Sequence, residues 1–66
     1  MHIHKSITPD RVMDAITRAF TSLDNPGFCV KCGEDAEGVE PDAREYTCSI
    51  CGEKGVYGAE ELLFHM

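Results

Sequence analysis

Apolar residues recur at helical spacing in the first third of the chain. They fall three or four positions apart and so share one side of a helix: Val12, Ile16, Ala19, Phe20 and Leu23. Polar residues, among them Arg11, Asp14 and Arg18, occupy the other side. This pattern predicts an amphipathic helix whose apolar face packs against the rest of the chain.

Both ends of this helix carry recognisable signals. Thr8 can accept hydrogen bonds from free backbone amides, and Pro9 at the first helical position loses no hydrogen bond. Asp10 complements the positive end of the helix dipole. The run Asp-Asn-Pro-Gly at residues 24–27 is a strong stop signal. We therefore expect the helix to run from about residue 9 to about residue 23.

The chain changes character after the helix, to short apolar segments separated by glycine. Val39 is predicted to lie on a short strand, Pro41 and Asp42 in a hairpin turn, and residues 44–47 on the return strand. A third strand is predicted around residues 56–57. The segment after Gly58 has its acidic residues at its N-terminal end, where they favour the start of a helix. This segment therefore predicts a short C-terminal helix.

A chain of 66 residues forms one domain at most, and its core is small. A core of this size rarely supplies more than about 3–5 kcal/mol of net stability, so the fold needs a cross-link. The larger apolar residues expected in this core are Ile7, Val12, Ile16, Phe20, Leu23, Phe28, Val39, Tyr46, Val56, Leu62 and Leu63.

The four cysteines are the candidate cross-link. The first residues lack the apolar run of a secretory signal, and no stretch approaches the length of a membrane span. The sequence therefore favours a cytoplasmic protein, in which thiols stay reduced and paired cysteines favour metal over disulfides.

The cysteines form two C-x-x-C pairs separated by fifteen residues: Cys29 with Cys32, and Cys48 with Cys51. Two intervening residues let one tight turn aim both sulfurs at one point, and tetrahedral zinc accepts four such sulfurs. Gly33 and Gly52 follow the pairs and can adopt the positive φ that such turns need. We expect one structural zinc ion held by these four cysteines.

Other chemistry fits the cysteines less well. Iron in the same cage would make a rubredoxin-like electron carrier, since four sulfurs suit either metal. Two symmetric loops argue against a redox-active dithiol. A catalytic zinc is disfavoured because four cysteines occupy every coordination position and leave none for water or substrate. No catalytic residues are apparent in the sequence, so we expect a non-enzyme. His2 and His4 are expected on a solvated arm, and His65 near a helix end rather than on a metal.

The formal charge of −6 is unevenly distributed. Residues 1–32 carry four basic and three acidic side chains, whereas residues 33–66 carry two basic and nine acidic ones. This field repels phosphate, so a protein partner is favoured and nucleic acid is the alternative. The partner-binding surface is predicted at Glu34, Asp35, Glu37, Glu40, Asp42 and Glu45.

The oligomeric state is left open between monomer and homodimer. Val12, Ile16 and Phe20 on the first helix and Leu62, Phe64 and Met66 in the tail are apolar. Packing of these two sets on each other is favoured over packing on a second copy.

Residues 28–57 resemble the zinc-ribbon, or rubredoxin-like, group through their two Cys-x-x-Cys-Gly loops. The whole chain is similar to small uncharacterised zinc-ribbon proteins of bacterial and phage genomes, a resemblance that implies a fold and a metal. The string Pro41-Asp42-Ala43-Arg44 also resembles one found between the cysteine pairs of the DksA/TraR zinc-finger group, which regulates RNA polymerase. The long N-terminal helical segment of that group has no counterpart here.

Pattern and resemblance together predict a small α+β metal-bound domain. Its two cysteine loops are expected on short β-hairpins, between an amphipathic helix and a short C-terminal one. The predicted parts, in chain order, are an extended arm at 1–7, a helix at 8–24, a zinc ribbon at 27–57 and a C-terminal helix at 58–66.

Overall fold

The computed structural model describes residues 2–21 and 25–66. A helix, a four-stranded antiparallel sheet and a C-terminal helix follow one another, which confirms the predicted α+β class. The elements are α1 (Pro9–Thr21), β1 (Gly27–Cys29), β2 (Asp35–Ala36), β3 (Tyr46–Thr47), β4 (Lys54–Gly58) and α2 (Ala59–Phe64).

The sheet has the order β2-β1-β4-β3 and consists of two hairpins joined along their inner strands. The first hairpin pairs β1 with β2 and holds the loop of Cys29 and Cys32 between them. The second pairs β3 with β4 and holds the loop of Cys48 and Cys51. Strands β1 and β4 are antiparallel neighbours, with Cys29 opposite Val56. This central pairing brings the two cysteine loops to the same region of the fold.

Side-chain alternation along the inner strands divides the interior into two cores. One, the helix-side core, is formed by Ile7, Val12, Ala15, Ile16, Phe28, Val30, Ala59 and Leu62. The other, the cysteine-side core, is formed by Cys29, Val39, Ala43, Cys48 and Val56. Because successive strand residues point to opposite faces, Phe28 and Val30 enter the first core while Cys29 enters the second.

The start of α1 is as predicted. The Thr8 hydroxyl accepts a hydrogen bond from the Arg11 amide at 3.2 Å, and the Thr8 carbonyl accepts one from the Val12 amide at 3.1 Å. The buried face consists of Val12, Ala15 and Ile16. Thus the cap fixes where the helix begins, and the apolar face fixes its orientation on the sheet.

The segment before α1 packs against the first cysteine loop. The His4 amide donates to the Val30 carbonyl at 2.9 Å, and Ile3 packs on the helix-side core. The His4 ring contacts the Ser6 hydroxyl at 2.8 Å, so His4 is half-buried instead of lying on a solvated arm as expected.

Seven residues predicted in the core are buried, and three are not. The confirmed set is Ile7, Val12, Ile16, Phe28, Val39, Val56 and Leu62. Phe20 is 79% exposed because it lies one turn beyond Ile16, where α1 borders an open cleft. Tyr46 lies on edge strand β3, and Leu63 lines the same open cleft as Phe20. Leu23 lies outside the described residues.

The predicted hairpin around Pro41 is wrong. Residues 40–43 do form a turn, with the Ala43 amide donating to the Glu40 carbonyl at 2.9 Å. However, β2 and β3 are opposite edges of the sheet, so the segment between them crosses from one edge to the other. Val39 is on no strand, because its amide donates to the Asn25 carbonyl and its side chain enters the cysteine-side core.

This crossing segment is held by α2. The Glu61 amide donates to the Pro41 carbonyl at 3.1 Å, and the buried Glu61 carboxylate accepts from Arg44 Nε at 2.9 Å. His65 Nε2 lies 3.1 Å from the same carboxylate. A buried carboxylate needs such partners, and Glu61 thereby fixes the segment on the end of the sheet.

Arg11 connects α1 to three other parts of the fold. Its guanidinium donates to the Ser6 carbonyl at 2.8 Å and to Asp35 Oδ1 at 2.6 Å, and it lies 4.9 Å from the centre of the Phe28 ring. It also donates to the Gly33 carbonyl at 3.3 Å. These contacts join the helix, the N-terminal segment and the first cysteine loop.

We predict that Arg11→Ala lowers the free energy of unfolding by about 2 kcal/mol, because several charge-assisted hydrogen bonds and a ring contact are lost together. Asp35→Asn is the matched comparison and is expected to cost less than about 1 kcal/mol, since it removes only one exposed ion pair. Urea unfolding of the metal-loaded variants measures both. Equal losses would show that the remaining Arg11 contacts contribute nothing.

Candidate metal centre

Each cysteine loop closes on itself through the same backbone hydrogen bond. The Gly33 amide donates to the Cys29 carbonyl at 2.7 Å, and the Gly52 amide donates to the Cys48 carbonyl at 2.9 Å. The two glycines have φ values of 82° and 79°. Only glycine adopts this conformation without strain, which explains why each pair of cysteines is followed by one.

A second hydrogen bond, also shared by the two loops, links each first cysteine to the residue after the glycine. The Cys29 amide donates to the Glu34 carbonyl at 2.9 Å, and the Cys48 amide donates to the Glu53 carbonyl at 2.8 Å. The repeated sequence Cys-x-x-Cys-Gly-Glu thus folds twice into the same turn.

The four sulfurs converge. Cys29 Sγ lies 3.7 Å from Cys51 Sγ, and Cys32 Sγ lies 3.8 Å from Cys48 Sγ. All four ligand atoms lie within 4.8 Å of one another. A disulfide needs about 2.05 Å, so neither pair is bonded. Four sulfurs placed tetrahedrally at about 2.3 Å from one ion are about 3.8 Å apart. The group could therefore hold a metal ion.

The cage lies between the apolar interior and solvent. Cys29 and Cys48 are buried, Cys32 is half-buried and Cys51 is exposed. Val39 and Val56 pack with the buried cysteines on the inner side. A dry wall on one side strengthens the attraction between thiolates and a cation.

Hydrogen bonds and crowding shift the pKa values of three of the four thiols in the cage. The backbone amides of Cys51 and Ile50 donate to the Cys48 sulfur and lower the pKa of that thiol to about 7. The Glu34 amide lowers the pKa of Cys32, but desolvation and the three neighbouring sulfurs outweigh it and raise that pKa to about 12. The Glu53 amide lowers the pKa of Cys51, but desolvation and the sulfurs of Cys29 and Cys48 outweigh it and raise that pKa as well. Four thiolates this close are stable only around a positive charge.

The amide of Ile50 is a part of this site that the cysteine spacing does not reveal. It lies 3.3 Å from Cys48 Sγ, within the second loop. Such donors orient a ligand sulfur and reduce its charge. The signal in the sequence is indirect, because any residue two positions after the first cysteine offers the same amide.

The described histidines are not part of the group of ligand atoms that converges. His4 contacts Ser6, and His65 contacts Glu61 and the edge of the Tyr57 ring. His65 directly follows α2, so it lies near a helix end as predicted. Among the described residues, the four cysteines are the group of metal-type ligands that comes together.

The six acidic residues of the predicted partner surface are all exposed. Asp35 and Glu37 line a groove together with Tyr46, whose hydroxyl donates to Glu40. This hydrogen bond lowers the pKa of Glu40 and raises that of Tyr46. Asp42 lines a different cleft, beside α2. Asp35 is neutralised in part by Arg11.

Comparisons of the chain with protein-family models, with curated proteins and with solved structures find no match. Within the described ranges, no helix is long and apolar enough to cross a membrane. The geometry of the cysteines is therefore the main evidence on function.

Substituting the two glycines should separate backbone strain from crowding. Gly52→Ala is expected to destabilise the metal-loaded protein by about 1 kcal/mol, since alanine is strained at positive φ while the space around Gly52 is open. Gly33→Ala should cost more, because the added methyl would meet Ser6 Oγ and the His4 ring. Urea unfolding at fixed free zinc measures both, and equal costs would contradict the packing of the N-terminal segment on the first loop.

Proposed function

We propose that this protein is a zinc ribbon, in which Cys29, Cys32, Cys48 and Cys51 hold one structural zinc ion. The observation that carries the proposal is the convergence of four unbonded sulfurs at separations of 3.7 and 3.8 Å. Zinc is the usual ion of closed four-cysteine structural sites. With all four positions taken by protein, the metal has no place for substrate or water, so the role proposed is structural and non-catalytic.

The small interior supports a structural role. Within the described part of the chain, the buried residues of the cysteine-side core besides two cysteines are small: Val39, Ala43 and Val56. Strands β2 and β3 are two residues long, and hairpins this short are not stable alone. Zinc binding at such sites contributes about 10 kcal/mol or more, which becomes folding energy because the unfolded chain has no site.

We predict that the purified protein contains one equivalent of zinc and is colourless, and that Cys48→Ser or strong chelation disorders residues 28–57. The reason is that the two hairpins lose the ion that joins them. Native mass spectrometry measures the metal, and amide dispersion in NMR spectra measures the order. Tyr46→Phe is the control, since it changes the same hairpin without removing a ligand.

Two outcomes would contradict this prediction. A chelated protein that keeps a dispersed spectrum across residues 28–57 would show that the metal does not hold the fold. A red protein loaded with iron would support the rubredoxin-like electron carrier instead, because four thiolates also bind iron.

The second part of the proposed function is binding of a basic protein partner. The chain has a formal charge of −6, and four thiolates around a zinc dication take this to about −8. Among its basic side chains, Arg11 and Arg44 are paired with carboxylates. Such a field favours a basic protein over nucleic acid. A partner of this kind could be a protein whose basic groove ordinarily binds phosphate, as an inhibitor or regulator of nucleic-acid machinery would require.

We predict that Glu37→Lys combined with Glu40→Lys weakens capture of the partner from a lysate of the native cell, and that high salt weakens it further. Both effects follow from screening or reversing an attractive field. The control is Asp14→Lys combined with Glu53→Lys, which makes the same change of net charge elsewhere. Quantitative mass spectrometry of the captured proteins measures the effect.

If neither high salt nor the Glu37 and Glu40 substitutions change the amount of partner captured, these acids are not part of the partner-binding surface. The nucleic-acid alternative has its own test. A zinc-loaded protein at micromolar concentration that shifts a DNA or RNA probe at low salt would favour a nucleic-acid-binding regulator over a protein-binding module.

A further inference from the structure

Two phenylalanines are largely exposed beside one cleft. Phe20 on α1 is 79% exposed and Phe64 on α2 is 86% exposed. Both line a cleft between the helices, together with Ile16 and Leu63. The open volume of this cleft is about 420 Å³. Single exposed apolar residues are common, but two aromatic side chains that share a cleft mark a candidate interaction surface.

The cleft arises because the apolar surfaces of the helices are larger than their contact. Val12 and Leu62 are fully buried where α1 and α2 meet over the sheet. Phe20 continues the same face of α1 by one more turn, whereas α2 ends at Phe64. Among the described residues, Phe20 is thus left uncovered at the end of this face.

The border of the cleft is acidic. Asp42 and Glu60 line it and are exposed. Glu61 lines it as well, but its carboxylate is buried and held by Arg44 and His65. The free charge at this border is therefore negative. A second copy of the chain would bring the same acids and the same net charge of −6, which disfavours self-association through this face.

We propose that the cleft binds a segment of another protein that presents bulky apolar side chains flanked by lysine or arginine. The apolar side chains would contact Phe20, Leu63 and Phe64, and the basic ones would lie near Asp42 and Glu60. This combines an apolar centre with a charged border, as protein interfaces commonly do. The inference rests on the proposed protein-binding function and places its apolar contact between the two helices.

The test is a titration of the zinc-loaded protein with a fluorescein-labelled amphipathic leucine–lysine peptide. We expect binding at micromolar peptide, with NMR shifts at residues 16–20 and 60–64. Phe64→Gln or Phe20→Gln is expected to weaken binding about tenfold or more, because a buried aromatic contact is lost. Met13→Gln is the matched control, since Met13 is 48% exposed on α1 and lines a different groove, and its loss should leave affinity unchanged.

The charge at the border is tested separately. Asp42→Lys combined with Glu60→Lys should weaken binding of the leucine–lysine peptide more than Glu37→Lys combined with Glu40→Lys does. A leucine–glutamate peptide of the same pattern should not bind. Equal affinity for both peptides would overturn the proposal, because the acidic border would then not distinguish a basic peptide from an acidic one.

Three further results would overturn it. These are no binding of the leucine–lysine peptide, unchanged affinity of both phenylalanine variants, and a dimer in sedimentation that Phe64→Gln dissociates. Zinc content and amide dispersion are measured for every variant. If the protein is zinc-loaded and folded but does not bind the peptide, only the proposal for the cleft is wrong. If the folded protein contains no metal, the zinc-ribbon proposal is wrong.

Discussion

The antiparallel pairing of β1 with β4 is the constraint on which the rest of the structure depends. It sets Cys29 opposite Val56 and turns the two hairpins so that both cysteine loops face one point. The outer strands contribute only two residues each and add little to the ladder. A metal ion in the cage would join the hairpins at their loops, while the β1–β4 ladder joins them along their strands. The ladder is not sufficient alone, because a two-stranded ladder of three paired residues is marginal in water.

The same pairing also divides the interior. Strand alternation sends Phe28 to the helices and Cys29 to the cage, so neighbouring residues of β1 belong to different cores. The two cores are linked through backbone and not through shared side chains. Arg11 adds a polar link, because it joins α1 to the loop that carries Cys32 through the Gly33 carbonyl and Asp35. Loss of order in the cage would therefore reach the helices through β1 and through this arginine.

Local signals in the sequence predict local structure well in this chain. Thr8 caps α1, Gly33 and Gly52 close the two loops, and Leu62 anchors α2, all as the patterns indicate. The errors concern Phe20, Tyr46, Leu63, His4 and the segment around Pro41, whose environment depends on distant elements. Periodicity shows that a helix face is apolar, but not whether another element covers it. Turn residues show that the chain bends at Pro41, but not which strands lie on either side. Nothing in the run Glu60-Glu61-Leu62 indicates that Glu61 is the buried acid, because its partner Arg44 comes from the crossing segment.

The small size of the domain relates the exposed cleft to the cysteine cage. A 66-residue chain that depended on apolar burial alone would gain from covering Phe20 and Phe64, since each aromatic side chain buried contributes about 2 kcal/mol. A structural ion contributes several times as much and acts on the opposite side of the sheet. The fold would then remain stable with an apolar surface left open between its helices. The four thiolates also add negative charge around zinc, so the same site that would stabilise the domain strengthens the field that favours a basic partner. Stability and partner selection would thus depend on the same four sulfurs.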